Sequence, residues 1–269
     1  FETTFIPLMT PVVILMMVGP FMRWKGDVLG RIVRKLGPVL LVSVALGLVI
    51  AYAIEHVTWR TVLGLTLAAW VVLGSVKLLV TRLSDHAGAS AMTRLRGIPS
   101  GWWGMWLAHL GIGVFIIGVT MVGSLDARLD VKMHPGETAT LAGYTFRLDG
   151  VADVPGPNYD AARATVVVHD GERLLTTLSP EKRSYRAQQM PMTEAALDIG
   201  LFRDVYVALG AEVDGGAWLL SLYHKPFISW IWFGCTLMGL GGVLAAADRR
   251  YRRLAERRVA AAAAVGQAG

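Results

Sequence analysis

Charge is scarce in this sequence. Only 17% of its 269 residues are Asp, Glu, Lys or Arg, where an ordinary soluble domain carries about 25%. Long stretches hold no charge at all while others are dense with Arg, and the mean hydropathy is +0.49. That is a membrane pattern. Cysteine is almost missing. The single Cys235 lies inside an apolar run, which excludes an internal disulfide and a C-x-x-C motif but leaves the redox compartment open. No pair among the six histidines has H-x-x-x-H or H-E-x-x-H spacing, so the sequence gives no support to a zinc site. A nucleophile elbow, a phosphate-binding loop, a dinucleotide fingerprint and an internal repeat are also absent. The chain starts at Phe1 without the basic n-region and cleavage site of a signal peptide, as expected of the C-terminal portion of a longer protein.

What is present is hydrophobic length. A bilayer core takes about 20 apolar residues in a helix, and five runs approach or meet that. They are Phe5 to Met22, Gly37 to Ile54, Thr61 to Val80, Trp102 to Leu125 and Phe227 to Ala247. Pro7 and Pro11 stand near the start of the first, and Lys77 is near enough to the end of the third to snorkel. The net charge of +6 sits beside these runs rather than in one patch with interleaved aromatics. It reads as a set of topology determinants and not as a nucleic-acid footprint. Arg23, Lys25, Arg31, Arg34 and Lys35 follow the first run. Arg82, Arg94 and Arg96 follow the third. Arg249, Arg250, Arg252, Arg253, Arg257 and Arg258 follow the fifth. If all five runs span, these groups share one side, which the positive-inside rule makes cytoplasmic. The segment Asp126–Lys225 is then extracytoplasmic.

That segment reads as β-structure. Tyr144–Leu148 alternates apolar and polar. Ala164–Val168 is followed by a hairpin turn at His169-Asp170-Gly171-Glu172 and then by Arg173–Leu178. Val205–Leu209 and Trp218–Tyr223 flank a turn at Asp214-Gly215-Gly216, and Thr193–Leu197 is expected as one helical turn. The spacing predicts a small antiparallel sandwich or barrel. The sequence beyond Tyr251 is Ala-rich, either extending the last helix or lacking order.

Of the histidines, His109 stands out because it lies within the fourth apolar run. An ionisable residue inside a membrane helix is costly and is a functional-site candidate by default. Imidazole is also a standard axial ligand of haem iron. At helical spacing Trp102, Trp106, His109 and Gly113 form one stripe. Gly104, Ala108 and Gly111 line the neighbouring face, where small side chains admit a helix or a flat cofactor. The plain alternative is a neutral histidine hydrogen-bonded across helices. His56 reads as a solvated loop residue near the membrane surface, although it could also meet a cofactor edge there. His86 lies in the cytoplasmic loop and His169 on the hairpin turn. His134 and His224 lie near the boundaries of the β-rich segment. Glu181–Tyr185 and Arg203–Tyr206 are either ion-paired loops that organise the domain or a docking surface for a partner protein.

Several strings are specific when read in order: Gly156-Pro157-Asn158-Tyr159, Glu181-Lys182-Arg183, Met190-Pro191-Met192-Thr193-Glu194-Ala195-Ala196, and Arg203-Asp204-Val205-Tyr206-Val207-Ala208-Leu209-Gly210. Tyr223-His224-Lys225-Pro226-Phe227 with Trp230-Ile231-Trp232, and Asp248-Arg249-Arg250-Tyr251-Arg252, complete the set. Together with Trp103-Gly104-Met105 through Ala108-His109-Leu110-Gly111, they resemble the C-terminal part of the CcmF family, the haem lyases of cytochrome c maturation, from Phe1 to about Arg253. The resemblance implies a bacterial inner-membrane or mitochondrial protein. It implies partners as well: a haem chaperone, apocytochrome c and other maturation subunits. It also implies a haem b held between two membrane histidines, with His109 matching the C-terminal one. Trp106 and Gly113 are then candidates for packing beside the haem. The family's tryptophan-rich periplasmic motif, its flanking histidines and its first membrane ligand all lie upstream of Phe1. Family members often carry Lys near His134 and Tyr at the position of His224, so no role passes to those two residues.

The expected architecture is an α-helical polytopic membrane protein with an inserted small antiparallel β-rich domain. Residues 1–125 form the first four membrane helices and 126–225 a periplasmic domain. Residues 226–248 form the last membrane helix and 249–269 a basic, Ala-rich cytoplasmic tail. The expected function is that of the C-terminal part of an inner-membrane haem lyase, acting with the missing N-terminal region and partner subunits. A haem or solute transporter would need a polar pathway, for which only Lys77 and His109 are available within the helices. A non-catalytic scaffold presenting the β domain would tolerate replacement of His109.

Overall fold

A computed structural model describes residues 2–23, 26, 28–84, 91–187, 191–213 and 215–248. Lys25, His86, Met190, Asp214, Arg249, Arg250, Tyr251, Arg252, Arg253, Arg257 and Arg258, with the rest of the Ala-rich tail, fall outside the described residues. The chain divides into two compact units, residues 1–120 with 230–269, and residues 121–229.

The first unit is helical. Its elements are α1 (Glu2–Val18) with a 3-10 turn at Gly19–Phe21, α2 (Leu29–Ala53), α3 (Trp59–Ser84), the short α4 (Ala91–Gly97), α5 (Ser100–Leu125) and α6 (Ile228–Ala246). Five of these helices are long and apolar enough to cross a membrane. The α2 helix begins well before the apolar run at Gly37. Arg31, Arg34 and Lys35 therefore occupy its first turns instead of a loop, which suits residues of high helix propensity whose stems snorkel. Pro38 lies inside α2, and Pro7 and Pro11 inside α1, as membrane helices tolerate. Val13, Met17 and Phe21 pack with Ile32, Leu36, Trp70, Val71 and Leu78 into one apolar cluster. The Trp70 indole donates to the Ile14 carbonyl at 3.3 Å.

The second unit is a β-sandwich. Its strands are β1 (Ala127–Met133), β2 (Thr138–Leu141), β3 (Tyr144–Pro155), β4 (Tyr159–Asp170), β5 (Arg173–Leu178), β6 (Glu181–Tyr185), β7 (Pro191–Glu194), β8 (Ala196–Ile199), β9 (Arg203–Val213) and β10 (Ala217–Pro226). One sheet has the order β1-β10-β9-β8. The other runs β2-β3-β4-β6-β7, with β5 also paired to β4. All pairs are antiparallel. Inward residues of the two sheets, Phe146, Leu148, Val166 and Val168 against Val205, Val207, Leu209, Leu220 and Leu222, form a buried core. Burying each such side chain contributes about 1.5–3 kcal/mol.

The expected helical turn at Thr193–Leu197 is instead strand. Thr193 pairs with Lys182 in one sheet and Ala196 with Val207 in the other. Local Ala-Ala-Leu propensity yields there to cross-strand pairing. The β2–β3 hairpin turns on Ala142 (φ 50°) and Gly143 (φ 84°), the pair of positive φ values that a two-residue turn between twisted strands requires. Phe227 has φ 61° where β10 gives way to α6. Its backbone N–H donates to the Phe202 carbonyl at 3.1 Å, and the two rings meet edge to face at 5.7 Å. These contacts hold a conformation that a bulky residue rarely adopts.

Candidate functional site

The α5 helix presents two different faces. Along one, Gly104, Ala108 and Gly111 meet α6. A Cβ added at Gly111 would lie 2.8 Å from the Gly234 carbonyl oxygen. One added at Gly241 would lie 2.6 Å from the Gly104 carbonyl oxygen and 2.7 Å from the Ala108 nitrogen. Gly104, Gly111 and Gly118 recur every seventh residue, as do Gly234 and Gly241. A seven-residue repeat keeps one seam facing one partner helix, and small residues on it let the backbones touch. Of the two occupants that the small face admits, a helix or a flat cofactor, the structure has the helix. At the seam's end, the buried Asp248 accepts from the Gly101 backbone N–H at 2.9 Å, satisfying an otherwise orphaned donor in the first turn of α5. The glycines of α6 escaped sequence reading, although their sevenfold spacing was a usable signal.

Along the other face, the Trp106 indole donates to the Ser75 carbonyl of α3 at 2.8 Å. Gly113 lies against Val71 and Val72 of α3, leaving no room for a Cβ. Trp102, Trp103 and Trp106 form consecutive edge-to-face pairs at 5.4 and 5.6 Å. His109 falls between Trp106 and Gly113 on this stripe and is half-buried. Its Nδ1 lies 2.8 Å from the Met105 carbonyl oxygen, one turn back on the same helix. A carbonyl only accepts, so Nδ1 carries the proton and Nε2 keeps its lone pair. Among the described residues Nε2 has no hydrogen-bond partner, and no bond from His109 crosses to another helix. The Ser75 hydroxyl on the facing helix is likewise buried without a partner among the described residues. An imidazole oriented by its own backbone through one nitrogen, with the other left bare, is the arrangement that metal-ligating histidines use.

The remaining histidines do not converge on it. His56 is exposed in the α2–α3 loop and His169 lies on β4. The His134 backbone N–H donates to Glu137 at 2.7 Å, which holds that carboxyl below its ordinary range. His224 stands 5.4 Å from the Tyr144 ring. Its buried Nδ1 has no partner among the described residues. Burial, and then the Arg203 charge, push its pKa down. No group of three His, Cys, Asp or Glu suited to a metal ion occurs among the described residues.

Glu181–Tyr185 and Arg203–Tyr206 are not loops but lie on β6 and β9, and their side chains make contacts within the domain. Glu181 is buried and accepts from Arg163 at 2.6 Å and from Arg183 at 2.7 Å. Arg183 also pairs with Glu194 at 3.4 Å and lies over the Tyr159 ring at 4.7 Å. Arg203 pairs with Asp198. Asp204 accepts from the Gly200 N–H at 3.1 Å. Tyr206 and Tyr223 stack at 4.2 Å. Hydrogen bonds from Arg183 and then Arg163 hold the Glu181 carboxyl below the ordinary carboxylate range. A depressed carboxylate pKa contributes stability that is present above the unfolded value and is lost as pH falls through the folded one. The sandwich should therefore lose amide-exchange protection in β4 and β6 as the pH drops below about 4.5. Glu181→Gln should flatten that dependence and cost about 1–3 kcal/mol at neutral pH, by leaving two arginines without their carboxylate.

Residues 124–226 match the family described as the CcmF C-terminal beta-sandwich. The cytochrome c-type biogenesis protein CcmF of Pseudomonas fluorescens is 41% identical over 271 residues, covering 100% of this chain and 40% of that protein. CcmF of Pseudomonas aeruginosa is 40% identical over 259 residues, covering 96% of this chain and 39% of that protein. A solved structure titled "Cytochrome c Heme Lyase CcmF" is similar in fold, with a TM-score of 0.72 at 18% identity over 92% of this chain and 40% of that one. The chain thus spans about 40% of the length of the curated relatives it matches.

Proposed function

The chain corresponds to the C-terminal part of CcmF, a multi-pass membrane protein of cytochrome c biogenesis, and on that premise we propose that it is the haem b-binding portion of a membrane haem lyase. Its role is to help attach haem, as substrate, to apocytochrome c, together with the N-terminal counterpart and other maturation subunits. The observation that carries this reading is His109 in α5. Its Nδ1–H is committed to the Met105 carbonyl, and its Nε2 is bare inside an apolar helix. A histidine serving only helix packing would spend its polarity on a neighbouring helix.

In this reading His109 Nε2 would hold the haem iron, together with a second histidine from outside the chain. Trp106, bonded to Ser75, and Gly113, seated on Val71 and Val72, fix the face of α5 that carries His109. A haem with two histidine ligands supplies electron transfer at a low-spin, six-coordinate iron rather than oxygen chemistry. The protein's share is position, access and tuning. The orientation proposed puts residues 126–225 in the periplasm of a bacterial inner membrane. The arginines in the first turns of α2 and on α4 support it, by the excess of basic residues that cytoplasmic segments carry. The haem chaperone and apocytochrome c would meet the protein on that periplasmic side.

The test is holocytochrome c yield in cells whose own copy is replaced by a His109→Ala variant with the N-terminal counterpart present. The yield should fall by an order of magnitude or more at unchanged protein abundance. Gly239→Ala, at an α6 position with nothing within 4 Å, should leave it intact. Full yield from His109→Ala would end the ligand assignment.

A further inference from the structure

The two places where the β-sandwich joins membrane helices lie side by side. Asp126, just after α5, pairs with Lys225, just before α6, at 3.2 Å. Both covalent connections to the membrane helices therefore leave from that end of the sandwich. The β9 and β10 strands reach it together, with Arg203 opposite Pro226 and Asp204 opposite Lys225. The β8 strand arrives there as well, because Ile199 is opposite Asp204.

Between β8 and β9, at this same end, the surface is apolar. Leu197 is 55% exposed, Ile199 70%, Leu201 63% and Phe202 56%. Four large apolar side chains within six residues, on and beside an edge strand, are a liability in water. The loop is also fastened. Its Phe202 carbonyl accepts from the Phe227 N–H, and its Gly200 carbonyl accepts from the Ser229 hydroxyl at 2.8 Å. Phe227 directly precedes α6, and Ser229 is in its first turn. Trp230 and Trp232 follow in that turn and the next, and tryptophan is the residue that collects at membrane–water boundaries. Residues 200–202 are thus tied to the point where the chain enters the membrane.

We propose that the segment Leu197–Phe202 is a membrane-interface anchor, which dips Ile199, Leu201 and Phe202 into the headgroup–acyl boundary of the outer leaflet beside α6. The partner is lipid. Continuity with a membrane helix selects it, since the loop's two hydrogen-bonded holds are the residues on either side of the α6 start. The anchor sets how the β-sandwich stands on the membrane, through a third attachment besides its two covalent ones. It does not depend on haem ligation by His109.

The test uses the full chain in phosphatidylcholine vesicles. Cys235 is replaced by Ser, and an environment-sensitive fluorophore is attached at Leu201→Cys. Ile199→Cys serves as a second variant. Asn158→Cys, on the exposed β3–β4 turn, is the reference. The labels at 199 and 201 should be quenched severalfold more than the reference by spin-labelled lipid carrying its quencher near the headgroup. They should also be shielded from aqueous iodide. Iodide access equal to that at position 158 would overturn the proposal. Shielding from both quenchers would also overturn it, since the loop would then be covered by protein.

Discussion

Gly111→Leu is expected to separate α5 from α6. The added Cβ alone would lie 2.8 Å from the Gly234 carbonyl oxygen and 2.8 Å from the Met238 nitrogen. Both contacts are backbone, so no side-chain rotation relieves them. Overpacking costs about 1–3 kcal/mol where side chains can yield, and this seam lies at or beyond the upper end because only helix displacement makes room. Displacement also releases the neighbouring contact between Gly104 and Gly241, since both lie on the same seam. A loss of about 3 kcal/mol should lower the thermal midpoint of the purified protein by roughly 6–12 °C. Gly239→Leu is the matched control. It adds the same side chain to α6 where nothing lies within 4 Å, and the midpoint should stay close to that of the unsubstituted protein. Equal effects from the two substitutions would show that the seam is not where α5 and α6 hold together.

The helices were legible because length and apolarity are enough to predict a span, and five such helices occur. Their ends were less so. Arg31, Arg34 and Lys35 look like loop residues by hydropathy but form the first turns of α2, since helix and apolar run start at different places. The sandwich was legible as a class from its alternating strands and turn residues. Two kinds of strand escaped. Leu129, Val131 and Met133 of β1 alternate with polar residues, a signal the sequence does carry. The β7 and β8 strands exist only through pairing with β6 and β9, which local sequence does not carry. At the candidate site, an ionisable residue in an apolar helix singled out His109. Its tautomer and its bare Nε2 depend on one rotamer bonded to Met105, and no spacing rule reveals that. Glu181–Tyr185 and Arg203–Tyr206 read from the sequence as ion-paired loops or as a docking surface. They lie on β6 and β9, with ion pairs inside the domain that only the strand pairing brings together.

His109→Ala carries the other large expected effect. The chain offers a single imidazole in its apolar spans, and removing it leaves a neutral methyl where an iron ligand is proposed. Trp106, Gly113 and the glycine seam join α5 to α3 and α6. The variant should therefore fold and assemble while losing the cofactor, which separates ligation from packing. His109→Met should be intermediate. A thioether in place of an imidazole retains a ligand but raises the reduction potential, so residual haem in that variant should be easier to reduce.

The most direct measurement is the visible absorption spectrum of the purified protein, with its N-terminal counterpart present, oxidised and then reduced, for wild type and His109→Ala. The account predicts a low-spin b-type spectrum in the wild type that is lost or converted to high spin in the variant, at equal protein recovery. The same low-spin spectrum in both would contradict it and would make His109 a packing residue.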